Sequence, residues 1–183
     1  MWSDGILRAK LSTRVREFSL KMKQISVLLL ISLLFISSSC TRNERQCQFV
    51  SFHDHAWNRF EKQKFEIPVR NISSPSELKL ILRHTNDYPF DNLYINVITE
   101  MPGGEERIME KDLRLKDASG NFLSDDRKGY HEISFTLYKE LRFTEKGLCR
   151  VEIENLIPKI EIPGILELGL CLQKPQRDQG KQQ

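Results

Sequence analysis

Cys40 is the residue whose neighbours most clearly specify a chemical modification. Two lysines precede an apolar run at residues 25–36, three serines follow the run, and Cys40 comes next. A cationic start, an apolar stretch and small residues before the cleavage point define a secretory signal. The run is short for a bilayer span, which needs about 20 apolar residues. The sequence therefore predicts a signal peptide over residues 1–39 and lipidation, as by palmitate, at Cys40. The alternative is a membrane helix followed by an incidental cysteine.

Two details refine this prediction. Ser37 stands three residues before the modified cysteine, where leucine is usual, although apolar residues lie just upstream. Residues 1–21 contain acidic and aromatic side chains that do not fit a signal peptide. We therefore expect translation to begin at Met22, which starts a leader of ordinary charge and length.

The other three cysteines are Cys47, Cys149 and Cys171. An exported protein can form a disulfide, and Cys149 with Cys171 is the expected pair if one forms. The alternative is that each thiol is a buried, small apolar group. There is no Cys-x-x-Cys motif, so a zinc ribbon or dithiol redox site has no support.

Histidines and hydroxyls offer little further chemistry. His53 and His55 alternate across Asp54, so an extended chain would point both imidazoles the same way, as metal ligands require. No third ligand stands at a recognisable spacing. Neither Gly-x-Ser-x-Gly nor a phosphate-binding loop occurs. We therefore predict no catalytic, metal or cofactor site.

Aromatic residues are concentrated early in the mature chain. In small β-domains most such residues are core, but aromatic and arginine side chains also anchor protein interfaces. The candidates for a partner surface are Trp57, Arg59, Arg83, Tyr88 and Phe90.

Composition limits the class of protein. The leader, residues 1–39, carries six basic and two acidic residues, a net charge of +4, while the whole chain is +3. The mature part is therefore −1, which excludes the basic footprint of a nucleic-acid-binding protein. The mature chain has the length of one domain. We expect a lipidated tether at residues 40–46, a domain at residues 47–173 and a disordered polar tail at residues 174–183.

The domain must be built from strands. Leu78, Leu80 and Leu82 alternate with other residues and so share one face of a strand. Leu166, Leu168, Leu170 and Leu172 repeat the pattern at the end of the domain and are predicted to face the core. Other strand candidates are residues 48–52, 64–70, 93–98, 131–138 and 148–154.

Proline, glycine, serine and aspartate form turns between these segments. Short strands at such intervals, without a βαβ rhythm, predict a single antiparallel β-sandwich of about 7–9 strands. Two segments fit this prediction less well. Residues 105–115 have helix-like spacing, and residues 158–163 form a loose stretch that could cross between sheets.

An ordered set of motifs resembles one known family. The set is His55-Ala-Trp-Asn-Arg-Phe60, Leu82-Arg-His-Thr-Asn-Asp-Tyr-Pro-Phe-Asp-Asn-Leu93, Leu113-Arg-Leu-Lys-Asp-Ala-Ser-Gly-Asn-Phe122, a strand containing Gly147, and Ile162-Pro-Gly-Ile-Leu-Glu-Leu-Gly-Leu170. In order and spacing, over about residues 40–174, the chain is similar to the GldH family of gliding-motility lipoproteins from Bacteroidota. Cys149 stands where the family pattern has an aromatic residue, and residues 121–126 lack its glycine-rich run.

The resemblance implies a non-enzymatic component of the envelope machinery for gliding and type IX secretion. Its partners would be the membrane, through the lipid at Cys40, and other envelope proteins of that machinery. Residues 41–46 lack the acidic cluster that resembles a surface-export signal in this phylum, so we expect the outer membrane, facing the periplasm. A carbohydrate-binding lipoprotein remains open and would need exposed Trp57 and tyrosines in a flat platform. An enzyme would need a deep cleft with convergent polar groups.

Overall fold

A computed structural model describes residues 45–175. The signal peptide, the start at Met22, the lipidation site Cys40, most of the tether and the tail from residue 176 lie outside this part of the chain. Residues 45–175 contain no helical segment that could span a lipid bilayer.

The described chain is all β, with one 3₁₀ turn at His53–His55. Its strands are β1 (Gln46–Ser51), β2 (Ala56–Asn58), β3 (Gln63–Val69), β4 (Ser76–His84), β5 (Asn92–Glu100), β6 (Glu106–Arg114), β7 (Asp125–Arg127), β8 (Tyr130–Leu141), β9 (Gly147–Asn155), β10 (Glu161–Pro163) and β11 (Ile165–Gln173). The predicted class, an antiparallel β-sandwich, is confirmed. The strand number is higher than expected because β2, β7 and β10 have three residues each, too few to produce an alternating pattern.

All strand pairs are antiparallel. The larger sheet has the order β1-β11-β4-β8-β7 and the smaller has the order β3-β9-β5-β6. A separate two-stranded ribbon consists of β2 and β10. Sequence neighbours β3 and β4 belong to different sheets, so the chain crosses between the layers several times, as in other β-sandwiches.

The core lies between the two sheets and follows the period-2 rule. In β3 the inward residues Phe65, Ile67 and Val69 are buried, whereas the residues between them are more exposed. Leu80 and Leu82 of the central strand β4 oppose them from the larger sheet and are fully buried. Burying one such side chain stabilises the fold by about 1.5–3 kcal/mol.

Within residues 105–115 the chain forms the strand β6, Glu106–Arg114, so the helix-like spacing was misleading. β6 pairs with β5 through nine consecutive residue pairs. Met109 and Leu113 pack toward the core, while Ile108 is 63% exposed. Because β6 is an edge strand of the smaller sheet, an outward isoleucine is tolerated there, and it created the false periodicity.

The last strand departs from its predicted register at one residue. A bulge lies between Ile165 and Glu167, where β11 pairs with β4. Ile165 is consequently fully buried and Leu166 only partly buried, whereas Leu168, Leu170 and Leu172 face the core as predicted. An extra residue at a bulge changes which side chains point inward.

The disulfide joins Cys47 to Cys171, so the expected Cys149–Cys171 pair is wrong. Cys47 and Cys171 are directly opposite in the β1–β11 ladder. Cys149 lies in β9 of the smaller sheet and is buried in the core as a free thiol. The two cysteines of the expected pair therefore belong to different layers.

The two ends of the sandwich are defined by the strand termini that lie there. β1 begins at Gln46, opposite Leu172, and Val69 at the end of β3 lies at the same end. We call this the entry end, because the chain enters the domain here. The opposite end, called the distal end, contains the start of β3 at Gln63 and the end of β4 at His84.

Candidate functional site

Two residues of the predicted partner surface are core residues. Trp57 is fully buried, and its Nε1 donates a hydrogen bond to the Glu61 carbonyl at 2.8 Å. Tyr88 is also buried, and its hydroxyl donates to the Asn92 carbonyl at 2.8 Å. Burial raises the pKa of Tyr88 above its ordinary value. Both side chains are therefore part of the core, with their polar atoms hydrogen-bonded inside the domain.

The Arg83 side chain is half-exposed, and its guanidinium group already contacts other residues of the domain. Its Nε donates to Glu132 Oε2 at 2.8 Å, and its Nη1 bonds to Glu167. The guanidinium carbon lies 4.6 Å from the centre of the Phe49 ring and 5.4 Å from that of Tyr130. Hydrogen bonding to Glu132 raises the pKa of Arg83. These contacts link β4 to β8, β11 and β1 on the outer face of the larger sheet.

Phe90 and Arg59 lie at the distal end. Phe90 packs edge-on against Tyr88, with ring centres 5.8 Å apart, and its remaining surface lines a cleft. Arg59 is exposed next to the ribbon of β2 and β10, where its N–H donates to the Ile160 carbonyl. Of the five predicted partner residues, Arg59, Arg83 and Phe90 are therefore at least partly accessible, whereas Trp57 and Tyr88 are buried.

A cleft with a volume of about 920 Å³ opens at this distal end. Its wall is formed by the β4–β5 loop, the start of β5, the β6–β7 loop and the β9–β10 loop. It is lined by Phe90, Asp91, Asn92, Tyr94, Arg114, Lys116, Asp117, Ala118, Ser119, Gly120, Ile157, Pro158 and Lys159. We call it the distal cleft. Loops at one end of a rigid sandwich commonly carry binding residues.

A tight turn at Asp117 shapes one wall of the distal cleft. The Asp117 carboxylate accepts hydrogen bonds from the backbone N–H groups of Ser119 and Asn121. Hydrogen bonds from Asn121 hold the pKa of Asp117 below its ordinary value. Gly120 has φ +82°, a left-handed conformation that glycine adopts without strain. The Asp117 carboxylate is therefore held in place by the turn and is ionised at neutral pH.

The opposite wall is aromatic and polar. Tyr94 is 46% exposed, and its carbonyl accepts a hydrogen bond from the Leu156 N–H, which fixes the β9–β10 loop against β5. Asn92 Nδ2 lies 2.6 Å from Asp112 Oδ1 and 3.4 Å from the Tyr94 hydroxyl. A ring with hydrogen-bonding groups beside it can stack on a ligand and orient it.

Cations lie around the mouth of the distal cleft. Lys116 is 3.8 Å from Asp91 and lies over the Phe122 ring at 4.9 Å. Arg114 donates through Nε to the Lys116 carbonyl. Among residues 45–175, neither Arg114 nor Lys159 forms an ion pair. The cleft can therefore bind a partner through stacking, hydrogen bonds and charge.

The histidines do not form a metal site within the described part of the chain. His53 and His55 flank Asp54 in an exposed 3₁₀ turn, and Asp54 and His55 both have φ of 54°. No group of three or more potential ligands among residues 45–175 could hold a metal ion.

A different histidine pair comes together instead. His84 and His131 are opposite each other in β4 and β8, with rings stacked at 5.3 Å. His84 is fully buried, and its Nε2 lies 3.1 Å from Ser124 Oγ. Burial lowers the pKa of His84, so the ring is neutral at ordinary pH. The sequence did not reveal this pair because the pairing of β4 with β8 brings together residues far apart in the chain.

The sequence also did not identify Tyr94, Arg114 or Lys159 as binding candidates. These three residues come from the start of β5, the end of β6 and the β9–β10 loop, which are far apart in the sequence. The alternation in β5 gives one usable signal, because it places Tyr94 on the outward face.

The fold and the cleft together define a class, which is a single antiparallel β-sandwich with an open, polar and aromatic cleft at one end. The GldH lipoprotein family model matches residues 46–172, which is nearly all of the described domain. The chain belongs to the GldH lipoprotein family.

Curated relatives carry the same family name. The chain is 24% identical over 162 residues to "Gliding motility lipoprotein GldH" of Flavobacterium johnsoniae, covering 85% of this chain and 99% of that protein. It is 22% identical over 156 residues to "Gliding motility lipoprotein GldH homolog" of Christiangramia forsetii, covering 81% and 95% respectively. The expected family is therefore confirmed, and the chain is a lipoprotein of gliding-motility type.

Proposed function

We propose that this protein is a lipid-anchored, non-enzymatic binding component of the gliding-motility and type IX secretion machinery. The lipid on Cys40 holds it to the outer membrane, and the β-sandwich faces the periplasm. Its role is to hold other envelope proteins together close to the membrane surface, where tethering raises its effective concentration for them.

The position of the distal cleft carries this proposal. Cys40 precedes Gln46 by six residues, so the tether reaches about 20 Å when extended. The nine-residue strands β5 and β9 give the sandwich a length of about 30 Å. Because the chain enters at the opposite end from the cleft, an upright domain directs the cleft away from the membrane and toward other envelope components.

The chemistry of the cleft supports binding rather than catalysis. Asp117 is held by the turn and Asp91 is near Lys116. A catalytic acid or base needs a group free to exchange a proton with a substrate. A mixture of aromatic, cationic and amide groups is instead typical of a recognition surface.

Carbohydrate binding is the alternative, and one observation favours it. Tyr94 presents an exposed ring beside the amide of Asn92 and the carboxylate of Asp112, a combination that can stack on a sugar ring and bond its hydroxyls. The flat platform expected from Trp57 does not exist, because Trp57 is buried.

A pair of variants tests the proposal. Tyr94→Ala with Lys159→Ala removes an aromatic and a cationic group from the cleft. Ile108→Ala with Lys139→Ala is the matched control, because both of these side chains are exposed on edge regions away from the cleft. We expect only the cleft variant to lose co-purification with gliding and secretion proteins from solubilised membranes, with the melting temperature unchanged.

Polysaccharide binding is measured on the same proteins. If the cleft variant loses glycan binding but keeps its protein complex, the carbohydrate function replaces the proposed one. If neither property changes, the cleft is not the functional surface.

A further inference from the structure

We infer that the tip of the two-stranded ribbon docks into an apolar recess on a protein partner. The ribbon tip consists of Arg59, Phe60, Lys159 and Ile160, at the end where β2 finishes and β10 begins. The inference deepens the proposed function. It rests on that function in one respect only, which is that the partner is found in the cell envelope.

The tip exposes two large apolar side chains, Phe60 after β2 and Ile160 before β10, and the backbone of Arg59, next to Phe60, is hydrogen-bonded to Ile160. Phe60 is 80% exposed and Ile160 is 75% exposed, the two highest values among the large hydrophobic residues of the described chain. The fold does not require them there, because the ribbon is already anchored in the core by fully buried Trp57 and Ile162. Exposed apolar groups beyond the needs of the fold mark interaction surfaces.

Backbone hydrogen bonds hold the tip in one conformation. The Arg59 N–H donates to the Ile160 carbonyl, and the Lys159 N–H donates to the Ile157 carbonyl. On the other side of the tip, the Glu61 carbonyl accepts from Trp57 Nε1. The apolar groups are therefore preorganised, which lowers the entropy lost on binding.

The charges around the tip fit a protein better than a lipid surface. Arg59 and Lys159 alternate along the chain with Glu61 and Glu161, all four exposed. Binding to anionic lipid needs a cluster of basic residues, whereas a mixed polar rim around an apolar centre is typical of protein interfaces. A projecting aromatic group beside an arginine also has the composition of an interface hot spot.

The position of the tip agrees with this choice of partner. The tip adjoins Gln63, the first residue of β3, whereas Val69 at the other end of β3 lies at the entry end. Six residues of strand separate the two, about 20 Å. An upright domain on its short tether therefore presents the tip away from its own membrane.

In-membrane crosslinking tests the inference on the full-length lipoprotein. A photoreactive amino acid is placed at position 160, or at position 108 as a control, since Ile108 is also an exposed apolar residue but lies on the edge strand β6. We expect position 160 to give an adduct with a second protein and position 108 to give none. Adducts with lipid, adducts with a second copy of this chain, or equal adducts at both positions would overturn the inference.

Affinity measurements on the captured protein complete the test. Phe60→Ser with Ile160→Ser should weaken its binding to the purified lipoprotein by about tenfold or more, while Ile108→Ser leaves binding unchanged. Unchanged affinity in the double variant would also overturn the inference. The thermal unfolding of each variant is recorded to show that the sandwich remains folded.

The two proposals fail in different ways. If the captured protein has no connection with gliding or secretion, the docking surface stands and the proposed function fails. If gliding and secretion proteins co-purify but position 160 captures none of them, the proposed function stands and the ribbon tip is not the docking surface.

Discussion

At the scale of single residues, the arrangement around His84 shows how a polar side chain is accommodated in the core. Its Nδ1 lies 3.0 Å from the Thr85 carbonyl and its Nε2 lies 3.1 Å from Ser124 Oγ. The rings of Tyr88, Phe122 and His131 surround it. Both ring nitrogens therefore have partners, which offsets the cost of removing the imidazole from water.

This environment predicts an acid-sensitive stability. Burial, together with the nearby His131 and Lys116, lowers the pKa of His84 in the folded state below its ordinary value of 6.5. The unfolded chain therefore binds a proton at a higher pH than the folded protein does. The free energy of unfolding is therefore at its full value above pH 6.5. As the pH falls from 6.5 toward the folded-state pKa of His84, the free energy of unfolding decreases by at most about 1.4 kcal/mol per pH unit.

Urea unfolding at several values between pH 5 and pH 8 measures this effect. His84→Gln removes the titrating group, so its free energy of unfolding should depend less steeply on pH than that of the wild type. His53→Gln is the control, because His53 is exposed. Identical pH dependence in wild type and His84→Gln would show that His84 does not titrate in this way.

At the scale of the elements, the disulfide secures the strand through which the chain enters the domain. β1 is an edge strand, so only β11 holds it in the larger sheet. Cys47 is the second residue of β1 and is bonded to Cys171. A pull on the lipidated segment would otherwise peel β1 away from its free end, and the disulfide transfers that load directly to β11, which has neighbours on both sides.

Loss of this bond should reduce stability strongly. The disulfide closes a loop with a sequence separation of 124 residues, for which the chain-entropy relation gives a stabilisation of about 5 kcal/mol. Cys47→Ser should therefore lower the melting temperature and make the start of β1 sensitive to proteases.

The control for the disulfide is chemical reduction. Reductant should lower the melting temperature of the wild type and leave that of Cys47→Ser unchanged. Cys149 should remain unreactive in the folded protein, because burial raises the pKa of its thiol to about 11. A wild-type melting temperature that does not respond to reductant would contradict the role given to the bond.

At the scale of the whole molecule, the proposed function depends on attachment at one end and recognition at the other. The distal cleft and the ribbon tip share the β9–β10 loop, residues 156–160. A partner that covers the tip therefore approaches the cleft as well. If the entry end is the end held at the membrane, both surfaces face away from it.

A further prediction concerns the lipid anchor. Cys40→Ala removes the thiol that the sequence assigns to the lipid, so the protein should appear in the soluble fraction or remain unprocessed. Labelling cells with an alkyne fatty acid should mark the wild type and the control Cys149→Ala, but not Cys40→Ala. Label retained by Cys40→Ala would place the lipid elsewhere.

The sequence by itself determined the properties that depend on local order. The alternation of apolar residues predicted the β-sandwich and most of the core, including Leu168, Leu170 and Leu172. The ordered motifs identified the family, which the match over residues 46–172 confirmed. Each of these features is a repeat or a spacing within the chain, so no knowledge of distant contacts is needed.

Tertiary structure alone decided the properties that depend on which strands become neighbours. The partner of Cys171 followed from the β1–β11 pairing, and the His84–His131 stack followed from the β4–β8 pairing. The same holds for the distal cleft, whose walls come from three separate segments of the chain, residues 90–94, 114–120 and 157–159. An alternating pattern states which face of a strand is buried but not which strand lies beside it, because every antiparallel neighbour satisfies the same backbone hydrogen bonds.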